Sequence, residues 1–111
     1  MVQFEIDYMG RGPKEARTHI IDDMVLVRLK GVLTPAEQQL TKSPDGVELI
    51  KKMRSTLIEK AKPLLYQVVG DITGAKIVSL HTDISTVLGE RVMVFVLESD
   101  LEKQITRKKE A

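Results

Sequence analysis

Between Ser43 and Gly74 the apolar residues Val47, Ile50, Met53, Leu57, Ala61, Leu64, Val68 and Ile72 follow one another at steps of 3, 3, 4, 4, 3, 4 and 4. That is the period of one face of a helix, not of a strand. Ser43 and Pro44 supply its start: a hydroxyl that accepts from free N–H groups, and a proline whose missing N–H costs nothing in the first turn. At about 1.5 Å per residue the helix reaches roughly 40 Å, long for so short a chain, so the remaining elements must be laid against it. Pro63 falls inside it, where a proline deletes one backbone hydrogen bond and crowds the preceding turn, a cost of about 3 kcal/mol in a regular interior. The stripe passes through Pro63 in phase, which predicts a kink near Ala61–Lys62 with the same face buried on both sides.

The flanking segments alternate at the strand period. Residues 17–30 are rich in β-branched and bulky side chains, interrupted by Asp22-Asp23. Those two residues either close a tight hairpin or bulge one long strand. In a hairpin with a two-residue turn, Ile20 faces Val25 and Thr18 faces Val27, with Leu29 on the same side, while His19, Ile21, Met24 and Leu26 take the other side with Arg17 and Arg28. Thr34-Pro35-Ala36-Glu37 has the form of a capping box with proline in the first helical position, and opens a short helix to about Thr41. From Lys76 to Ile84, Val78, Leu80, Thr82 and Ile84 point one way, and Ile77, Ser79, His81 and Asp83 the other. Residues 85–90 form a loop. From Arg91 to Leu97 the chain is apolar on both faces, as in a strand covered on both sides. Residues 1–9 fit a strand (Val2, Phe4, Ile6, Tyr8) and also a helix (Met1, Phe4, Tyr8), and Gly10-Arg11-Gly12-Pro13 turns the chain after them.

Helices gathered between two hairpins predict an α+β fold: a mostly antiparallel sheet of about four strands, packed on one face by the short helix and the long Pro-kinked helix. Residues 1–98 are expected to form one domain and 99–111 a charged C-terminal tail. The second sheet face would carry Ile21, Met24, Leu26, Ile77, Met93, Phe95 and Leu97 with no helix left to cover it. An apolar area of that extent marks an interface, and a second copy of the chain is the simplest partner.

Composition narrows the function classes. With 42% hydrophobic and 30% charged residues, the chain has the make-up of an ordered globular domain. Lys plus Arg number 17 and Asp plus Glu 16, a net +1 that gives no overall pull toward nucleic acid or anionic lipid. The absence of cysteine rules out disulfides, thiolate metal sites and a thiol nucleophile, and fits a cytoplasmic location. Apolar runs fall far short of the roughly 20 residues that span a bilayer. No signal peptide and no direct membrane insertion are expected; a membrane role would come through a partner such as a transport protein.

Three groups carry candidate chemistry. His81 and Asp83 share a strand face, and with Arg91 form a candidate polar cluster. Imidazole and carboxylate suit proton transfer or a metal ion, but zinc needs three or four ligands. His19 is the other histidine, and it can contribute only if the two hairpins are neighbours. The plainer role is ordering the 85–90 loop. Gly10, Arg11, Gly12 and Arg17 form a candidate anion-binding turn, although a lone G-x-G that neither follows a strand nor opens a helix lacks the nucleotide-binding fingerprints. Arg107, Lys108 and Lys109 stand beside Glu110, a poor patch for nucleic acid. No nucleophile elbow is present. No metal or cofactor is expected, and the residues give catalysis no positive support.

Several stretches together resemble a known family. They are Gly10-Arg11-Gly12-Pro13, Ala16-Arg17, the run from Asp22 to Glu37, Arg54, Pro63-Leu64-Leu65, Ile72-Thr73-Gly74, the run from Ser79 to Ser85, and Gly89-Glu90-Arg91. Over residues 4–98 the chain resembles short bacterial proteins of unknown function, described as the C component of a sodium-translocating, membrane-potential-generating system. The resemblance implies an accessory protein connected with ion transport or inorganic-carbon supply. It carries over no catalytic residue, and places any family site around Arg17, His81, Asp83 and Arg91. Family members carry a longer helical segment before the Gly-Arg-Gly-Pro turn, which favours helix for residues 1–9. The function expected is a non-enzymatic, dimeric accessory or regulatory protein acting through its sheet surface. The alternative is a metal- or anion-binding module, or an enzyme, using His81 and Asp83.

Overall fold

The computed structural model describes residues 12–100; the segment 1–9, Gly10, Arg11 and the basic run 107–109 lie outside them. The first elements among the described residues form a hairpin, β1 (Glu15–Ile21) and β2 (Met24–Lys30). Asp22 takes the left-handed conformation (φ 54°) that a tight turn demands, so the Asp pair closes a hairpin and does not bulge a strand. Ile20 pairs with Val25 and Thr18 with Val27, the register the two-residue turn dictates.

Both arms of the capping box form at α1 (Pro35–Leu40): the Glu37 amide donates to Thr34 Oγ1 at 3.2 Å, and the Thr34 amide to Glu37 Oε1 at 3.0 Å. At α2 (Pro44–Thr73), Ser43 Oγ accepts from the Gly46 amide at 3.1 Å. The corner between the helices is tight, since a Cβ on Gly46 would stand 1.9 Å from the Leu40 carbonyl oxygen. α2 is one helix of 30 residues that continues through Pro63 and stops at Gly74 in the left-handed conformation. A second hairpin, β3 (Ile77–Ser85) and β4 (Glu90–Leu97), completes an antiparallel sheet in the order β1-β2-β4-β3. The two hairpins therefore lie side by side and meet along β2 and β4.

Both helices cover one face. Val25, Val27 and Leu29 of β2, Met93, Phe95 and Leu97 of β4, and Ile77, Leu80 and Ile84 of β3 meet Ile50, Ile58, Ala61, Leu65 and Val69 of α2 in one core. Two expectations are corrected here. First, the buried stripe of α2 is Ile50, Arg54, Ile58, Ala61, Leu65 and Val69, while Met53, Leu64, Val68 and Ile72 are 46, 43, 38 and 80% exposed. The helix carries two apolar stripes side by side, and the one facing the sheet contains an arginine. Second, Ile77, Met93, Phe95 and Leu97 lie under the helices, not on the uncovered face. The uncovered face of β4 is Val92, Val94 and Val96. In β3 a register shift between Ile77 and Ser79 breaks the alternation, so Ile77 and Leu80 both point inward and Val78 stands 59% exposed.

Candidate functional site

On the face away from the helices, cross-strand pairing builds rows of side chains. Ile21, Met24 and Val96 lie side by side, then His19, Leu26, Val94 and His81, then Arg17, Arg28, Val92 and Asp83, and last Glu15, Lys30, Glu90 and Ser85. The middle of this face is aliphatic, contributed by the two central strands, and its charges gather toward the end where β2 finishes and β4 begins. Among the described residues no helix packs on it. Met24, Leu26, Val92, Val94 and Val96 are half-buried, screened by one another and not by an overlying layer.

The charged end is internally paired. Arg17 Nε donates to Glu15 at 2.7 Å, with Lys30 Nζ 4.0 Å from the same carboxylate, and Arg28 donates to Glu90. The hydrogen bond from Arg28 holds the Glu90 carboxyl below its ordinary pKa against the opposing effect of burial, and the same bond raises Arg28. These pairs offset the repulsion of Arg17 and Arg28, which stand directly opposite each other.

A second polar group lies beneath the helices. Arg54 is 0% exposed and forks onto Glu37, with Nε and Nη2 each 2.7 Å from a carboxylate oxygen, while Nη2 also donates to the Val32 carbonyl at 3.0 Å. This clamp ties α2 to α1 and to the chain leaving β2. Burial alone would raise the Glu37 carboxyl, but hydrogen bonds from Arg54 and Thr34 outweigh it and hold its pKa low. Arg91 is likewise buried, and donates to Thr82 Oγ1 at 3.0 Å on the helix-facing side.

The residues singled out from sequence are distributed as follows. His81 and Asp83 share the outer face; His81 Nε2 lies 3.3 Å from Ser79 Oγ, and Asp83 accepts from the Ile84 amide at 2.8 Å with Lys51 4.0 Å away. Arg91 points to the opposite side of the sheet. His19 and His81 occupy one row but on the two edge strands, three strand spacings of about 4.8 Å apart. Among the described residues no group of three or more His, Cys, Asp or Glu could hold a metal ion. Of the anion-binding turn, Gly12 is described and half-buried, and Arg17 lies on the outer face paired to Glu15. Sequence reasoning missed Arg54–Glu37 and Arg28–Glu90. Their partners are 17 and 62 residues apart, which no local spacing reveals. Glu37 stood out only as a capping residue, and Arg54 only through the family resemblance.

Geometrically, the outer face can bury aliphatic surface against a like surface and offer paired charges at one end. A family model described as "Na+-translocating membrane potential-generating system (MpsC)" matches residues 1–99. The chain is 47% identical over 107 residues to the uncharacterized protein YbcI of Bacillus subtilis (strain 168), a match covering 96% of this chain and 86% of that protein. It is 29% identical over 102 residues to the uncharacterized protein YrhF of the same organism, covering 88% of this chain and 81% of that protein. No solved structure matches. Among the described residues no helix is long and apolar enough to cross a membrane.

Proposed function

The chain belongs to the MpsC family, described as a Na+-translocating membrane potential-generating system, and on that premise we propose that it is a non-catalytic accessory or regulatory component of such a system that works as a homodimer. The observation that carries this reading is the aliphatic middle of the outer sheet face, where Leu26 and Val94 sit at the centre of two strands whose other sides form the core. Apolar area of this kind is most simply covered by an identical face across a two-fold axis. The ion pairs at one end then form the rim, where charge sets register more than affinity. The family connection supplies the setting, a membrane system, and the two relatives named above are described only as uncharacterized.

Light scattering over a dilution series tests this reading. The expected result is a dimer that a Val94→Glu variant converts to a folded monomer, because Val94 points away from the core. A wild-type chain that is monomeric at every concentration would refute it.

A further inference from the structure

We propose that the tip of the β3–β4 hairpin, Val87–Leu88 beside Lys14, is a docking element for an anionic membrane surface. Val87 and Leu88 are 93 and 70% exposed, at turn positions where small and polar residues are the rule. The hairpin does not need them. Its tip is held by the Leu88 amide donating to Ser85 Oγ at 3.2 Å and by the Val32 amide donating to the Gly89 carbonyl at 3.0 Å, and neither side chain belongs to the core.

A cation stands beside this apolar pair. The Lys14 stem lies across Gly31 and lines one hollow together with Val87 and Leu88. The carboxylates of Glu15 and Glu90 are already held by Arg17 and Arg28. The other end of the strands has the opposite sign. The Asp23 carbonyl accepts there from the Leu97 amide and the Glu98 amide donates to the Lys76 carbonyl, which gathers Asp22, Asp23, Glu98 and Asp100 at that end with Lys76 as the opposing cation. A total of +1 is therefore spread unevenly, and the end that carries the bare aliphatic pair is the less acidic one. The expectation of no direct membrane insertion rests on the shortness of the apolar runs and is compatible with contact at the headgroup level.

A protein partner would need roughly 800 Å² per side for a stable contact, more than a four-residue tip offers. Interfacial binding needs only a few apolar side chains at headgroup depth with lysines near the surface. The inference goes beyond the dimer reading and does not use the aliphatic sheet face.

Co-flotation of the full chain with mixed phosphatidylcholine–phosphatidylglycerol vesicles, against pure phosphatidylcholine vesicles, tests it. The wild type is expected to float with the mixed vesicles, less so at high salt. A Val87→Ser/Leu88→Ser variant, with unchanged thermal midpoint and oligomeric state, is expected to partition about 10- to 100-fold less, and Lys14→Glu to lose most of the salt-sensitive part. Val94→Glu should still float, which separates this outcome from failure of the dimer reading. Absence of wild-type flotation overturns the proposal. So does flotation unchanged in the double variant, which assigns the attraction to Arg107, Lys108 and Lys109, and so does a tip that captures a soluble protein while vesicles stay unbound.

Discussion

Removing Arg54 tests the buried clamp most directly. In Arg54→Met the aliphatic stem is replaced, but the Glu37 carboxylate, 4% exposed, loses two charged donors at 2.7 Å. Breaking a buried ion pair from one side costs about 3–5 kcal/mol, a large part of the roughly 5–15 kcal/mol that holds a domain of this size. With a urea slope of about 2 kcal/mol per molar, the unfolding midpoint should fall by roughly 2 M. Glu37→Leu also breaks the clamp and removes one arm of the capping box, adding about 1 kcal/mol. The double variant leaves neither charge stranded, so its deficit should fall short of the sum of the singles by about 2 kcal/mol or more. The pH dependence has a definite sign. In the wild type the Glu37 pKa is lowered on folding, so its contribution is present above the unfolded value of about 4.3 and is lost as pH falls through the lower folded value. Without Arg54, burial dominates and the folded variant takes up a proton more readily than its unfolded chain. The gap between wild type and variant should therefore narrow as pH falls from 7 toward 4. Additive singles, or a gap that does not change with pH, would refute the assignment of this stability to the charge pair.

Further substitutions probe separate parts of the fold. Gly46→Ala should destabilise by about 3 kcal/mol or more, read in thermal unfolding, because a methyl 1.9 Å from the Leu40 carbonyl oxygen forces the α1–α2 corner apart. Pro63→Ala should raise the midpoint, by up to about 3 kcal/mol, since Pro63 is exposed within an unbroken helix and packs against nothing in the core; a lowered midpoint would show that the proline sets a bend the sheet requires. Glu90→Gln should flatten the acid limb of the stability–pH curve, because the Glu90 pKa is lowered by Arg28 and the wild type loses that contribution as pH falls through the folded value. An unchanged acid limb would mean the pair forms equally in the unfolded chain.

Much of the architecture was legible because it is written in local chemistry. The Thr34–Glu37 box and the Ser43 cap are each complete within four residues and form as their residue types dictate, while Asp22–Asp23 left a hairpin and a bulge both open until the pairing chose the hairpin. Side selection was not legible. On α2, periodicity offered two neighbouring apolar stripes, and Arg54 made the truly buried one read as interrupted. On β4, apolar residues fill both faces, and alternation alone does not choose between them. Each arginine is buried all the same, Arg54 because Glu37 meets it from α1 and Arg91 with Thr82 beside it on β3. The bulge after Ile77 likewise depends on pairing with β4, and no alternation within β3 announces it. The His81, Asp83 and Arg91 grouping followed from closeness in sequence, and the sheet sends its members to opposite sides.

The sheet order has a kinetic consequence. Each hairpin joins neighbours in the chain and can close within microseconds, whereas the line where they meet pairs Lys30 with Glu90 and Met24 with Val96, partners separated by roughly sixty residues or more. Closing that line is the slow search in folding. Leu26 on that line and the β1–β2 turn that closes before it are both engaged by the time the barrier is reached, so Leu26→Ala and changes confined to the turn should each retard refolding.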